Sequence, residues 1–195
     1  MRVARTTNPI SSVMAAILCL LLLPAARAAA SGDRPVSASA GGAWRIFSSQ
    51  LGLESDAGLS LRLGLGVMDR LEVALDYSLS APLRETTQQS ASVSALRALA
   101  RYEVWQGPIR PYVIAGGGGF LVNFDDSSDY STGAVTLGAG VERRLGPRAF
   151  LRLEGTADLY RSEVVRYDLG GNVRSRAPRT TNALGSLGVF LGTRF

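Results

Sequence analysis

From Gly58 to Val67 the chain alternates. Leu59, Leu61, Leu63, Leu65 and Val67 fall on one parity, and Ser60, Arg62, Gly64 and Gly66 on the other. Successive side chains of a β-strand point to opposite faces, so a period of two predicts a strand with one aliphatic face and one small or charged face. The pattern recurs. Leu71, Val73, Leu75, Tyr77 and Leu79 oppose Glu72, Ala74, Asp76 and Ser78. Val135, Leu137, Ala139 and Val141 oppose Gly138, Gly140, Glu142 and Arg144, and Leu151, Leu153, Ala157 and Leu159 oppose Arg152, Glu154, Thr156 and Asp158. Eight such segments are predicted, over residues 43–53, 58–68, 71–80, 92–105, 111–122, 133–145, 149–162 and 181–195. Their lengths suit the ~9–11 residues that a tilted strand needs to cross a bilayer.

The connections alternate in length. Asp69-Arg70, residues 106–110 and residues 146–148 read as tight turns, whereas residues 81–91, 123–132 and 163–180 are longer and polar. The first hairpin, near residues 54–57, is short but falls on the long-loop side. Tight turns at one end and long loops at the other suit a meander whose long loops face the cell exterior. Alternation alone does not decide which parity faces out. Three observations favour the aliphatic parity outward: it is consistently aliphatic, aromatics lie near the strand ends, and the other parity mixes charge with glycine, which weakens a solvated strand but suits the narrow lumen of an eight-stranded barrel. The predicted fold is all-β, an eight-stranded antiparallel up-and-down transmembrane β-barrel with its aliphatic parity in lipid. Two aromatic bands are expected at the interfaces. Trp44, Tyr102, Trp105, Tyr112 and Phe195 are assigned to the short-turn end, and Tyr77, Phe120, Phe124, Tyr130 and Tyr160 to the other.

The N-terminus sets the compartment. Arg2 and Arg5 precede an apolar run, Val13–Leu23, which Pro24 ends before the small residues of 25–30. This is the layout of a secretory signal peptide, and eleven apolar residues fall well short of the ~20 of a membrane-spanning helix. The expected division is a signal peptide over 1–30, a flexible lead-in over 31–42 and the barrel over 43–195. The single cysteine, Cys19, lies in the signal, so the exported part is no disulfide scaffold. Three arginines and no acid leave with it, and the net charge falls from +5 to +2. Neither that charge nor the compartment suits a nucleic-acid partner.

The inward parity carries charge in near balance. The candidate lumenal network is Arg62, Glu72, Asp76, Arg97, Arg101, Glu103, Glu142, Arg144, Arg152, Glu154 and Asp158, with Arg45 and Arg194 on the same parity. Charges removed from water must be paired, so the expected role is to fill and stopper the barrel. The chain has no histidine, which removes Ser-His-Asp catalysis and histidine metal sites. No catalytic residue, metal ligand or cofactor motif is assigned. Gly116–Gly119 lies in a strand with no phosphate-loop context and reads as close packing or a bend. Asp125, Asp126 and Asp129 read as a solvated loop rather than a cation site, and Arg174, Arg176 and Arg179 as a soluble loop that is also suited to lipopolysaccharide phosphates.

Gly107–Phe120, with its Pro111-Tyr112 and following glycines, resembles the fifth-strand segment of the outer membrane protein β-barrel domain families, and LGSLGVFLGTRF over 184–195 is similar to their last strand. These families include the transmembrane domain of outer-membrane protein A. The resemblance implies a cell outer-membrane barrel that meets outer-membrane lipid and lipopolysaccharide, and it places Phe195 in the signal read by the barrel-assembly machinery. It leaves activity open. A non-enzymatic structural or surface-interaction role leads, a small channel for ions or apolar solutes is the alternative, and a lipid-A-modifying enzyme is disfavoured by the missing histidine.

Overall fold

The computed structural model describes residues 34–47, 52–85, 90–124, 129–162, 165–167, 173–176 and 180–195. The expected signal peptide, Asp125, Asp126 and Arg179 lie outside them. Among the described residues ten strands follow one another: β1 (Val36–Ile46), β2 (Asp56–Met68), β3 (Leu71–Ser80), β4 (Ala91–Glu103), β5 (Ile109–Phe124), β6 (Asp129–Arg144), β7 (Ala149–Ser162), β8 (Val165–Tyr167), β9 (Val173–Arg176) and β10 (Thr180–Arg194). Eight close into an antiparallel barrel, ordered β1-β10-β7-β6-β5-β4-β3-β2, and β8 and β9 pair only with each other. Closure leaves no unpaired sheet edge, as a hydrocarbon surrounding requires.

The register fixes the barrel's shape. Ile109 on β5 opposes Arg143, which opposes Leu151, then Leu191, Ala40, Leu61, Tyr77, Leu96 and finally Gly119, back on β5 ten residues further on. With a rise of ~3.3 Å per residue and ~4.8 Å between strands, that stagger over eight strands tilts them by roughly 40°. The aliphatic parity faces outward as expected: Leu59 is 74% exposed and Leu191 59%. Phe195, Leu187 and Val189 are exposed on the same outer face, and Arg194 turns inward onto Glu142.

Several expectations are corrected. β1 starts at Val36, so residues 36–42 are strand and not lead-in. Ser37 to Ala43 offers no bulky alternation, but it is laddered on both sides, to β2 and to β10, and those neighbours make it a strand. The shift carries Trp44, exposed on the outer face, to the long-loop end, where it pairs with Ala57 and Leu187. Tyr102, Trp105 and Phe195 do form an exposed aromatic band at the short-turn end. Tyr112, Phe120 and Tyr160 do not belong to a girdle: they are 1%, 5% and 2% exposed inside the barrel. The side chains of Phe124 and Tyr130 are outside the described set. The long loop expected over 123–132 is shorter, because β5 and β6 continue pairing through Val122–Tyr130 and Asn123–Asp129. The last connection, expected to be a loop, contains the β8–β9 hairpin.

The first loop is longer than expected and folds back over the barrel. Gly52, at φ 58°, adopts a conformation that glycine reaches without penalty. It lets Leu53 turn inward, where it is 2% exposed. The loop is tied to its neighbour: Glu54 N–H donates to the Leu83 carbonyl and Glu85 N–H to the Gly52 carbonyl, both at 2.9 Å.

Candidate functional site: the lumenal charge network

The lumen has two storeys. Toward the long loops it is apolar, where Phe47, Leu53, Val93, Phe120, Val122, Tyr160 and Leu184 pack together. Phe120 meets Tyr160 edge-to-face with ring centroids 4.9 Å apart, the arrangement their quadrupoles favour. Toward the short turns it is ionic.

Alternation puts the charged positions of β2, β3, β4, β6 and β7 on the inner wall, and the register brings them to matching heights. Arg62 lies directly across from Asp76, and Glu142 from Arg152. In the upper group Arg62 grips Glu154 with Nη1 at 2.6 Å and Nη2 at 2.8 Å, a forked pair, and donates from Nε to Asp76 at 3.1 Å. Arg97 bridges Asp76 and Asp158, at 2.5 and 3.0 Å. Ser60 donates to Asp76 and Thr136 to Asp158, which adds a hydroxyl donor to each carboxylate. In the lower group Arg152, fully buried, donates to Glu142 at 2.9 Å and to Glu72 at 3.2 Å. Arg101 reaches Glu72, Glu103 and Glu142 at 3.1, 3.0 and 2.9 Å. Tyr112 links the groups, because its hydroxyl donates to Glu154 while Arg101 stacks on its ring at 4.8 Å.

Aromatic rings take up the flat faces of the guanidiniums. Arg152 lies 4.3 Å above Phe150 and Arg62 4.9 Å above Phe190. A planar, delocalised cation offers its edge to carboxylates and its face to rings at once, which lysine does not. Only Arg101 Nε and Arg152 Nη1 are buried without a hydrogen bond among the described residues.

Ten of the eleven proposed network residues are therefore gathered in one buried cluster. Arg144 does not join it. It is exposed at the end of β6 and makes no ion pair among the described residues. Arg110 takes its place, donating to Glu103 at 3.1 Å. The tight turn expected over 106–110 includes it. Its parity with Tyr112 and Ile114 was the signal for an inward position. Arg194 also joins, at 2.8 Å from Glu142, and Arg45 is buried against the Ser80 hydroxyl at 3.0 Å. The apolar inward residues were missed as a set. They share parity with the charges, and that parity identifies them.

Every carboxylate in the network is engaged by arginine, hydroxyl or both, so none stands free as a general base. Among the described residues no cluster of histidine, cysteine or acids is placed to hold a metal ion.

The family model described as "Outer membrane protein beta-barrel domain" matches residues 15–193. Among solved structures, the chain is similar to Neisserial surface protein A, at 20% identity and a TM-score of 0.55, covering 83% of this chain and 97% of that one. It is similar to OprG of Pseudomonas aeruginosa, at 12% identity and a TM-score of 0.54, covering 83% and 95%. It is also similar to Ail of Yersinia pestis, solved in complex with the heparin analogue sucrose octasulfate, at 14% identity and a TM-score of 0.53, covering 83% and 99%. These likenesses are of fold. No curated protein matches the sequence significantly.

Proposed function

The chain belongs to the outer membrane protein β-barrel domain family and resides in the cell outer membrane, and from that premise we propose a non-enzymatic barrel that acts through its extracellular loops. The observation that carries this reading is the closed lumen. Arg152, Glu142, Asp76 and Thr136 are fully buried at its centre, and the apolar cluster seals its outer end. Nothing can be turned over or passed through such an interior without dismantling it, which leaves the ends of the molecule to do the work. Planar-bilayer recording of the folded protein is expected to show no conductance steps. Sustained single-channel steps would restore the small-channel reading.

The ligand class follows from the last loop. Arg174 and Arg176 lie on β9, with Arg179 just beyond, and arginine forks suit phosphate and sulfate oxyanions. The lipopolysaccharide around the barrel supplies phosphates, and Ail, which shares the fold, was solved with a polysulfated sugar. Replacing Arg174, Arg176 and Arg179 together by glutamine is expected to weaken binding to immobilised lipopolysaccharide severalfold. Equal binding by the triple variant and the parent would sink the assignment.

Delivery is a separate proposal. Phe195 is exposed on the lipid side beyond β10, where the barrel-assembly machinery reads an aromatic by family resemblance. F195A should lower the fraction assembled in the outer membrane, scored by heat-modifiable gel mobility, while leaving export intact. Unchanged assembly contradicts it.

A further inference from the structure

Among the described residues, the short-turn mouth of the barrel carries more guanidinium than carboxylate. Two adjoining hollows of about 160 and 420 Å³ open there. Arg34, Arg70, Arg110, Arg144 and Arg194 line them, and Asp69, Glu72 and Glu103 are the acids. Two of these acids are already spoken for. Glu103 accepts from Arg101, Arg110 and Arg194 at 3.0, 3.1 and 3.4 Å, and Glu72 from Arg101 and Arg152 at 3.1 and 3.2 Å. Among the described residues Asp69 is the only other carboxylate in the lining. Arg34, Arg70 and Arg144 are exposed and make no ion pair among the described residues. Arg110 uses Nη1 on Glu103 and Nε on the Gly107 carbonyl, and its Nη2 makes no hydrogen bond among the described residues.

The surroundings strengthen this excess. The floor of the hollow is the buried network, so solutes enter from the periplasmic side alone. The walls are a protein rim bordered by lipid, and a cleft with low-dielectric walls focuses the field of its charges. Arg144 lines both hollows and stands two residues beyond Glu142 on the same inward parity of β6. Its guanidinium is thus held at the entrance while its neighbours are consumed by the network below.

We propose that this periplasmic mouth is an oxyanion site for a phosphate group, with Arg144, Arg110 and Arg34 as its ligands. Guanidinium forks match the spacing of phosphate oxygens, and several donors converging on one concavity give a dianion more than scattered surface arginines do. The phosphate can arrive as a free ion from the periplasm or on the headgroup of an inner-leaflet phospholipid, since the mouth lies at that interface. The inference is independent of the extracellular role proposed above: it concerns the opposite end of the barrel and survives if the loops bind nothing.

The test uses the full folded protein in octyl glucoside, a detergent without phosphate. Inorganic phosphate is titrated calorimetrically into the parent, R144Q, R34Q and the outward-facing control R143Q. In parallel, each protein is reconstituted with equal phosphatidylglycerol and phosphatidylcholine, and retained lipid is read by native mass spectrometry. Heat-modifiable mobility confirms that each variant is folded, and R34Q reads the same site should R144Q assemble poorly. A saturable phosphate isotherm weakened about tenfold by R144Q and not by R143Q supports a free-phosphate site. No isotherm, with phosphatidylglycerol enrichment lost in R144Q and R34Q alone, supports a headgroup site. Absence of both, or equal loss in R143Q, overturns the proposal.

Discussion

Replacing Arg152 by alanine is expected to lower the unfolding free energy of the barrel by about 3–5 kcal/mol, the cost of breaking a buried ion pair by removing one partner. The side chain is fully buried, donates to Glu142 and Glu72, and rests on Phe150. Alanine leaves two carboxylates facing a cavity. Glu142 keeps Arg101 and Arg194, and Glu72 keeps Arg101, so the network is wounded and not abolished. Urea titration of the refolded protein in micelles measures the loss, followed by the fluorescence of Trp44 and Trp105, the only two tryptophans, both exposed. Charge can be separated from volume by adding E142Q to R152A. If the single variant suffers from the Glu142 charge left facing the cavity, E142Q should cost at least about 1 kcal/mol less in the R152A background than in the parent. Additive losses would mean that Arg152 serves by packing on Phe150.

The second large effect is expected from a methyl group. A Cβ on Gly118 would stand 2.0 Å from the Leu96 carbonyl oxygen and 2.7 Å from Arg97 Cα, both backbone atoms of β4. Backbone laddered on both sides cannot retreat without breaking hydrogen bonds, so G118A should cost about 3 kcal/mol or more, at or beyond the upper end for overpacking. Gly133 is the matched control. Its Cβ would meet nothing closer than the Gly118 carbonyl at 3.7 Å, an ordinary contact. G133A should therefore change stability by no more than about 0.5 kcal/mol. Equal behaviour of the two variants in the same urea assay would show that β4 and β5 are not pressed together as described.

These two positions also mark what the sequence made legible. Period-two parity identified the outer wall from Leu59 to Leu191 and ten members of the network, because in a barrel the face a residue occupies is set by parity alone. It located Gly116–Gly119 as a place of close packing, which is what Gly118 proves to be. It set the first strand seven residues late, at Ala43 and not Val36, since Ser37–Ala43 is made of small residues and that stretch is a strand through its two neighbours. Tyr112, Phe120 and Tyr160 were placed by height along the strand, as interfacial aromatics, although their parity is that of Ile114, Gly118 and Asp158. Height says how near an aromatic is to the interface, and parity says on which side of the wall. Arg144 and Arg110 were exchanged because a strand end was misjudged by two residues. Strand ends depend on where pairing stops, and that is a property of the neighbouring strand.

The two kinds of outer loop differ in what they tolerate. The first loop spends Phe47 and Leu53 inside the barrel and is stitched to the second through Glu54, Leu83 and Glu85, whereas the β8–β9 hairpin pairs only with itself. An epitope tag or a foreign peptide inserted between β8 and β9 is expected to leave the barrel's strand pairing in place. The same insertion beside Leu53 would pull a stopper out of the lumen. For anyone wishing to display a sequence on the cell surface, or for a lineage under pressure to change its exterior, the permissive ground is the last loop and the forbidden ground is the first.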